Sequence, residues 1–108
     1  MSIISYADFT KLDIRVAKII ETEIIPGKSK IIKGIIDLGY ERRTVIIGGA
    51  QFYQPEELVD KIVIVIVNLE PKKMAGVESN AMLLAADVDD RPYWLTVHED
   101  VPLGSPIK

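Results

Sequence analysis

The chain contains 108 residues, of which 48% are apolar and 27% are charged, and it has no cysteine. This length allows one domain with a single hydrophobic core, and the apolar content excludes a disordered chain. The longest apolar run, residues 62–67, is too short to cross a bilayer, and the N-terminus lacks a basic segment followed by an apolar stretch. We therefore expect one cytoplasmic domain over residues 1–108, without disulfides or thiolate metal sites.

The first part of the chain predicts a short helix followed by a long strand. Ser5 and Asp8 have the spacing of a capping box, so a helix should begin after Ser5 and continue to about Lys11. Apolar and charged residues then alternate over residues 12–25, which is typical of a strand, and Pro26-Gly27 ends it. A strand of this length usually bends, so that it serves two parts of a sheet or closes a barrel.

Further strands and a second short helix are predicted downstream. The first two of these strands should form a hairpin through a turn at residues 39–41. Pro55, followed by two carboxylates, has the features of a helix start. The expected strands are residues 31–38, 42–47, 61–67 and 82–86, with a last short strand at 93–97.

Five strands with a helix between the third and fourth match the OB-fold, an all-β barrel. Its ligand face is usually formed by the second and third strands and by the first and last inter-strand loops. Basic residues fall on these elements, although a net charge of −3 argues against non-specific coating of nucleic acid. They are Lys28 and Lys30 on the first loop, Lys33, Arg42 and Arg43 on the hairpin, and Lys72 and Lys73 on the last loop. This coincidence favours nucleic acid as the ligand of a basic face.

The last loop and the strand after it contain the most informative residues. Lys72 and Lys73 follow Pro71 on a loop whose position two strands fix. Such lysines either neutralise phosphates without any chemistry, or only keep a sheet edge soluble. Ser79 either donates a hydrogen bond to phosphate or caps the turn. Met82 either contacts a base or continues the apolar alternation into the core.

The residue pattern predicts neither an enzyme nor a binder of single strands. His98 is the only histidine and lies in a polar tail, so we expect no catalytic residue, metal or cofactor. An OB-fold that binds single strands stacks bases on aromatic residues of its second and third strands. The two expected strands, residues 31–38 and 42–47, contain no aromatic residue. A face of lysines, arginines and small polar groups suits a folded RNA recognised by shape and phosphate.

Residues 8–16, 52–59 and 69–86 resemble the tRNA-binding OB-fold domains. Such domains are appended to methionyl-tRNA synthetases, occur in cytokine-precursor-like synthetase cofactors, and exist as free-standing structure-specific tRNA-binding proteins. The similarity covers almost the whole chain, and residues 68–86 are its most specific part. It implies binding to the outer corner of the L-shaped tRNA. The candidate RNA-binding residues, with Arg42 added from the charge pattern, are Lys30, Lys33, Arg42, Asn68, Lys72, Lys73, Ser79 and Met82.

The resemblance also implies partners. Free-standing bacterial members are homodimers, and the apolar residues of the N-terminal helix and of the 93–97 strand exceed what one small barrel can cover. Because Met1 lies close to the domain, we expect a free-standing member that assists an aminoacyl-tRNA synthetase, as a methionyl-tRNA synthetase beta subunit does, or a tRNA chaperone, with no membrane association. The alternative is a peptide-binding, export-related chaperone like the CsaA proteins, which share this fold. An exposed apolar groove at a dimer interface would favour that alternative.

Overall fold

A computed structural model describes residues 2–108; Met1, the first residue of the predicted domain, lies outside them. Most of the regular structure is β, and each of the two helices has four residues. Within the described residues, no helix is long and apolar enough to cross a membrane. The elements are α1 Tyr6–Phe9, β1 Ile14–Ile24, β2 Ile31–Asp37, β3 Arg42–Gly48, α2 Pro55–Leu58, β4 Ile62–Ile66, β5 Lys72–Met74, β6 Val77–Ser79, β7 Met82–Leu83, β8 Ala85–Val88 and β9 Arg91–Trp94.

Five antiparallel strands form the main sheet, in the order β3-β2-β1-β4-β7, and curve into a nearly closed barrel. The long strand β1 pairs with β4 through residues 14–18 and with β2 through residues 18–24. A shift of register between Ile19 and Glu21 marks the bend between these two halves, as expected for a β-bulge. The predicted all-β, OB-fold-like arrangement is therefore confirmed, including the long strand that serves two parts of the sheet.

Residues 79–80 bring the end of the sheet back to β3. The backbone N–H of Ile46 donates to the Ser79 hydroxyl oxygen (2.9 Å), and the backbone N–H of Asn80 donates to the Thr44 carbonyl (3.0 Å). These bonds satisfy polar groups on the outer edge of β3, which would otherwise face solvent unpaired. The barrel thus closes through a side chain and one backbone bond.

Two apolar clusters hold this sheet. The first fills the barrel and includes Ile19, Ile36, Val45, Leu58 and Val65, all fully buried. The second lies on the other face of β1 and β4, where the C-terminal tail covers it. It consists of Ile14, Val16, Ile64 and Ile66, with Phe9, Val97, Leu103 and Ile107 packed against them.

The tail is also bonded along the first half of β1. Gly104 N–H donates to the Val16 carbonyl (2.7 Å), and Ile107 N–H donates to the Ile14 carbonyl (2.8 Å). Burial on both faces explains the nearly continuous apolar run of β4, which a strand with one solvated face would not show.

The helix starts agree with the predictions. The Ser5 hydroxyl accepts a hydrogen bond from Asp8 N–H (3.0 Å), and Pro55 occupies the first turn of α2. The Glu57 carboxylate accepts from Gln54 N–H (2.9 Å), which caps the second helix reciprocally.

The prediction was wrong about the last third of the chain in three respects. The expected basic loop contains a β-hairpin, β5–β6, and the expected fifth strand is divided at Leu84 into β7 and β8. The last strand is also displaced: it is β9, Arg91–Trp94, and it pairs with β8. The turn between them has positive φ at Asp89 (51°) and Asp90 (68°), a conformation that aspartate tolerates better than most residues.

Candidate nucleic-acid interface

The β5–β6 hairpin presents the two lysines of the last loop. Its register pairs Lys72 with Ser79 and Lys73 with Glu78, and all of β5 is exposed. Successive residues of a strand point to opposite faces, so Lys72 shares a face with Ser79, whereas Lys73 shares a face with Glu78. Over residues 2–108, no carboxylate oxygen lies within 4.0 Å of either ammonium. Both charges are therefore accessible to a polyanion, in two different directions.

The tip of this hairpin lies against the first inter-strand loop. A cavity of about 300 Å³ separates them; its wall is formed by residues 27–31 on one side and by Met74 and Ala75 on the other. Lys28 and Lys30 are exposed at this place. The fold thus brings the lysines of the first loop close to the hairpin that carries Lys72 and Lys73, although 42 residues or more separate the two in sequence.

Lys33 and Arg42 lie on the outer face of β2–β3 and differ in their surroundings. The Lys33 ammonium lies 3.4 Å from the Glu23 carboxylate on the adjacent strand. Arg42 lies opposite Asp37, at the other end of β2 from Lys30, which is about 20 Å away for a strand of this length. Lys33 therefore adjoins the lysine cluster with its charge already paired, and Arg42 is separated from that cluster.

Ser79 and Asn68 are engaged in hydrogen bonds within the chain. The Ser79 hydroxyl accepts from Ile46 N–H and donates to the Ala81 carbonyl (3.1 Å). The Asn68 side chain accepts from Asp13 N–H (2.8 Å) and donates to the Lys11 carbonyl (2.6 Å). Ser79 thus holds the hairpin to β3, and Asn68 holds the end of β4 to the segment before β1.

Met82 lies on a different part of the surface. Its side chain is 45% exposed, opposite Ile66 of β4, and it lines a groove of about 420 Å³ with Gly48, Asp87 and Asp90. It does not continue the barrel core. Its neighbours include two carboxylates and none of the candidate lysines.

Arg43 has a structural role that its sequence context did not indicate. One guanidinium nitrogen, Nη1, donates to the Val67 carbonyl (2.6 Å) and to the Asn80 carbonyl (3.1 Å). The other, Nη2, lies 3.0 Å from the Glu41 carboxylate. The sequence placed Arg43 on the basic face, but its donors link β3 to the ends of β4 and of the hairpin.

A second cation, Arg91, lies among aromatic rings. Its guanidinium carbon is 5.6 Å from the Phe52 ring centre, 5.4 Å from that of Tyr53 and 5.1 Å from that of Tyr93. The Tyr53 side chain, more than any other neighbour, raises the pKa of Arg91 above its ordinary value. Sequence reasoning missed this cluster because the rings come from two segments about forty residues apart; the aromatic residues themselves were the only local signal.

The remaining titratable side chains of note are His98 and Arg15. In the part of the chain that the structure describes, no three His, Cys, Asp or Glu side chains lie close enough to hold a metal ion. His98 is exposed and lines an open cavity of about 840 Å³ together with Lys61, Tyr93 and Asp100. The pKa of Arg15 is raised by its hydrogen bond with Asp13, and this guanidinium also donates to the Gly104 carbonyl (3.0 Å), which ties the tail to β1.

Comparison with known proteins gives a consistent set of similarities. A family model described as "Putative tRNA binding domain" matches residues 14–106. The chain is 44% identical over 104 residues to a methionine–tRNA ligase of Thermotoga maritima, covering 96% of this chain and 16% of the ligase. It is 45% identical over 108 residues to the methionine–tRNA ligase of Pyrococcus horikoshii, covering 100% of this chain and 15% of the ligase. The chain therefore spans only about a sixth of the length of these relatives.

Solved structures extend the similarity to two kinds of small protein. A MetRS-related protein from Pyrococcus horikoshii superposes with a TM-score of 0.93 at 39% identity, over 100% of both chains. The chaperone CsaA from Bacillus anthracis superposes with a TM-score of 0.89 at 25% identity, over 99% of this chain and 100% of that one.

Proposed function

The chain belongs to the tRNA-binding domain family, and from this premise we propose that it binds tRNA by its shape, through the lysines of the first loop and of the β5–β6 hairpin. The observation that carries the proposal is the proximity of these two basic segments on an otherwise acidic body. The first loop joins β1 to β2, and bonds from Ser79 and Asn80 to β3 hold the β5–β6 hairpin, so the backbone that carries the lysines is fixed. Cations on a fixed backbone match phosphates whose spacing a folded RNA holds constant.

The outer face of β2–β3 supports a folded RNA rather than a single strand. Its central residues are Ile31, Lys33, Ile35, Thr44 and Ile46, none of which is aromatic. Binding of single strands by this kind of barrel depends on a row of aromatic rings at these positions. Without such a row, affinity has to come mainly from phosphates, and the phosphates of a flexible strand lose more entropy on binding than those of a folded molecule.

The similarity to methionine–tRNA ligases supports an accessory role beside a synthetase. The chain matches about a sixth of each ligase, and the family model that matches residues 14–106 of this chain is described as a tRNA-binding domain. We propose that this chain is a non-catalytic, cytoplasmic domain that delivers or retains tRNA, with a methionyl-tRNA synthetase as the first partner to test.

Exposed apolar residues support a symmetric homodimer. Ile3 is 97% exposed and Tyr6 is 77% exposed, although both are large apolar side chains near a helix of only four residues. An apolar surface of this kind is normally covered by a partner. Light scattering at micromolar concentration should report a dimer, and removal of residues 1–7 should weaken it. A monomer under these conditions would contradict the dimer.

A peptide-binding chaperone is the second candidate function, and the likeness to CsaA structures favours it. The two functions predict different ligands for the same protein. A gel-shift titration with bulk tRNA, run beside a peptide array, separates the two functions. Both should be repeated at several salt concentrations, because binding at a lysine site weakens with salt far more strongly than binding in an apolar groove does.

The decisive experiment concerns the charges of the β5–β6 hairpin. In a protein that carries Lys72→Ala and Lys73→Ala, the plot of log K for tRNA against log salt should be shallower by about 1 to 2, because each lost lysine–phosphate contact means that one counterion fewer is released on binding. The two single variants will show whether Lys72, beside Ser79, contributes more than Lys73, beside Glu78.

Lys108→Ala is the matched control for the loss of a lysine. Its neighbour Ile107 is bonded to Ile14 at the start of β1, whereas the first loop follows the end of that strand, about 33 Å further along the chain. The control should keep the tRNA affinity and the salt dependence of the unmodified chain. An unchanged affinity in the double variant, with an unchanged melting curve, would remove the hairpin as the site.

A further inference from the structure

The cluster around Arg91 offers an exposed aromatic surface beside the lysines. Phe52 is 39% exposed and Tyr93 is 46% exposed, while the Arg91 guanidinium lies within cation–π distance of both rings. We call Phe52, Arg91 and Tyr93 the aromatic patch. We propose that the aromatic patch is a stacking platform for one unpaired base of the bound RNA, an inference that rests on the tRNA-binding function proposed above.

The backbone that carries the aromatic patch is held by contacts between the loop after β3 and β9. Arg91 and Tyr93 lie on the same face of β9, and the Tyr53 hydroxyl donates to the Pro92 carbonyl (2.7 Å), which ties the loop after β3 to β9. Gly49 in that loop has a φ of 88°, and a Cβ built on it would lie 2.7 Å from Pro92. The loop and the strand are thus in close contact, so the rings are held in place before any ligand arrives.

The patch is continuous with the lysine cluster. Ala50 N–H donates to the Lys30 carbonyl (3.2 Å), and Phe52 N–H donates to the Gly49 carbonyl (2.9 Å). Phe52 is two positions after Ala50, which is at most about 7 Å of chain. An RNA whose backbone contacts Lys30 therefore has the aromatic patch within one or two nucleotides.

The charges around the patch favour a base over a phosphate. The β8–β9 turn next to Arg91 carries the exposed carboxylates of Asp87, Asp89 and Asp90, which repel an approaching phosphate. A neutral base has no such penalty. Unpaired bases of folded RNAs stack on aromatic rings and on arginine planes, and both kinds of surface meet here.

The unpaired nitrogen of Arg91 is consistent with a stacked guanidinium. In residues 2–108, its Nε is buried without a hydrogen-bond partner, as is the Trp94 ring nitrogen. The rings of Phe52, Tyr53 and Tyr93 surround this guanidinium, so Arg91 orients the rings, and the exposed sides of Phe52 and Tyr93 remain for a ligand.

Leucine substitutions test the patch with little change of packing. Phe52→Leu and Tyr93→Leu should each weaken tRNA binding about fivefold or more at fixed salt, because one base loses its stacking partner. The slope of log K against log salt should stay the same, since no phosphate contact is lost. Arg91→Lys keeps the charge but removes the plane, so it should weaken binding in the same way.

Tyr40→Leu is the control, since Tyr40 is an aromatic residue that is 57% exposed, more than Phe52 or Tyr93, and it lies in the turn at the far end of β2–β3. It should leave the affinity unchanged. Equal affinity of the patch variants and the unmodified chain would overturn the platform and leave tRNA binding standing. A shallower salt slope in Phe52→Leu or Tyr93→Leu would also overturn it, because it would indicate phosphate contact.

Two further outcomes separate the patch from the function on which it rests. If the unmodified chain does not bind tRNA at all, the proposed function fails, and the patch as an RNA platform fails with it. If the patch variants lose binding of unfolded peptides and keep tRNA affinity, the rings belong to a peptide site and the inference is overturned while tRNA binding survives.

Discussion

Ser79→Ala tests whether the hydroxyl of this residue supports the hairpin or contacts RNA. The substitution removes an acceptor for Ile46 N–H (2.9 Å) and a donor to the Ala81 carbonyl (3.1 Å). A buried donor left without a partner costs about 1–3 kcal/mol. Because Ser79 is only partly buried, water can reach part of the freed edge, and we expect a loss of about 1–2 kcal/mol.

Thermal unfolding followed by circular dichroism measures this loss. For a domain of about this size, 1 kcal/mol corresponds to a shift of about 4–8 °C in Tm, so the loss of about 1–2 kcal/mol should make Ser79→Ala melt about 4–16 °C lower. Ser79→Thr keeps the hydroxyl and should recover part of the difference. Glu78→Ala, one residue earlier and exposed on the other face of the hairpin, should leave Tm nearly unchanged.

The affinity for tRNA distinguishes the two roles. If Ser79 acts by holding Lys72 and Lys73 in position, Ser79→Ala should weaken binding in the unmodified chain and have little effect once both lysines are alanine. A melting curve that shifts by less than a degree, together with a loss of affinity that persists without the lysines, would refute the reasoning. The hydroxyl would then contact the RNA directly.

Two more predictions concern the fold and the type of RNA. Gly104→Ala should lower Tm more than Gly27→Ala does. Both glycines have positive φ (85° and 79°), so the backbone strain of the two substitutions is similar. A Cβ at Gly104, however, would lie 2.3 Å from the Leu38 carbonyl oxygen, whereas a Cβ at Gly27 meets nothing within 4 Å. In filter-binding competition at one salt concentration, several folded tRNAs should compete equally, and poly-U should compete at least about tenfold worse, because one aromatic patch does not replace a row of stacking rings. Equal competition by poly-U would contradict recognition by shape.

The sequence alone determined those features that depend on neighbours along the chain. Alternation of apolar and polar residues predicted β1, β2 and β3 to within a few residues, because the two-residue period of a strand is present in the sequence itself. The starts of α1 and α2 followed from Ser5 and Pro55, whose effects are confined to one turn of helix. The basic residues of the first and last loops were predicted in the same way, since strand order places those loops at one end of a barrel.

Only the tertiary structure decided what the polar side chains do. Arg43 and Ser79 are residue types that often bind phosphate, yet three of the groups to which they are bonded are backbone groups of the chain itself, 24 to 37 residues away. The same holds for Arg91, whose rings come from residues 52 and 53 as well as 93. A period of two records which face of a strand is buried, but it does not record which distant carbonyl or ring meets a given donor. That is fixed by the closure of the barrel, and it determines which charges remain free to bind RNA.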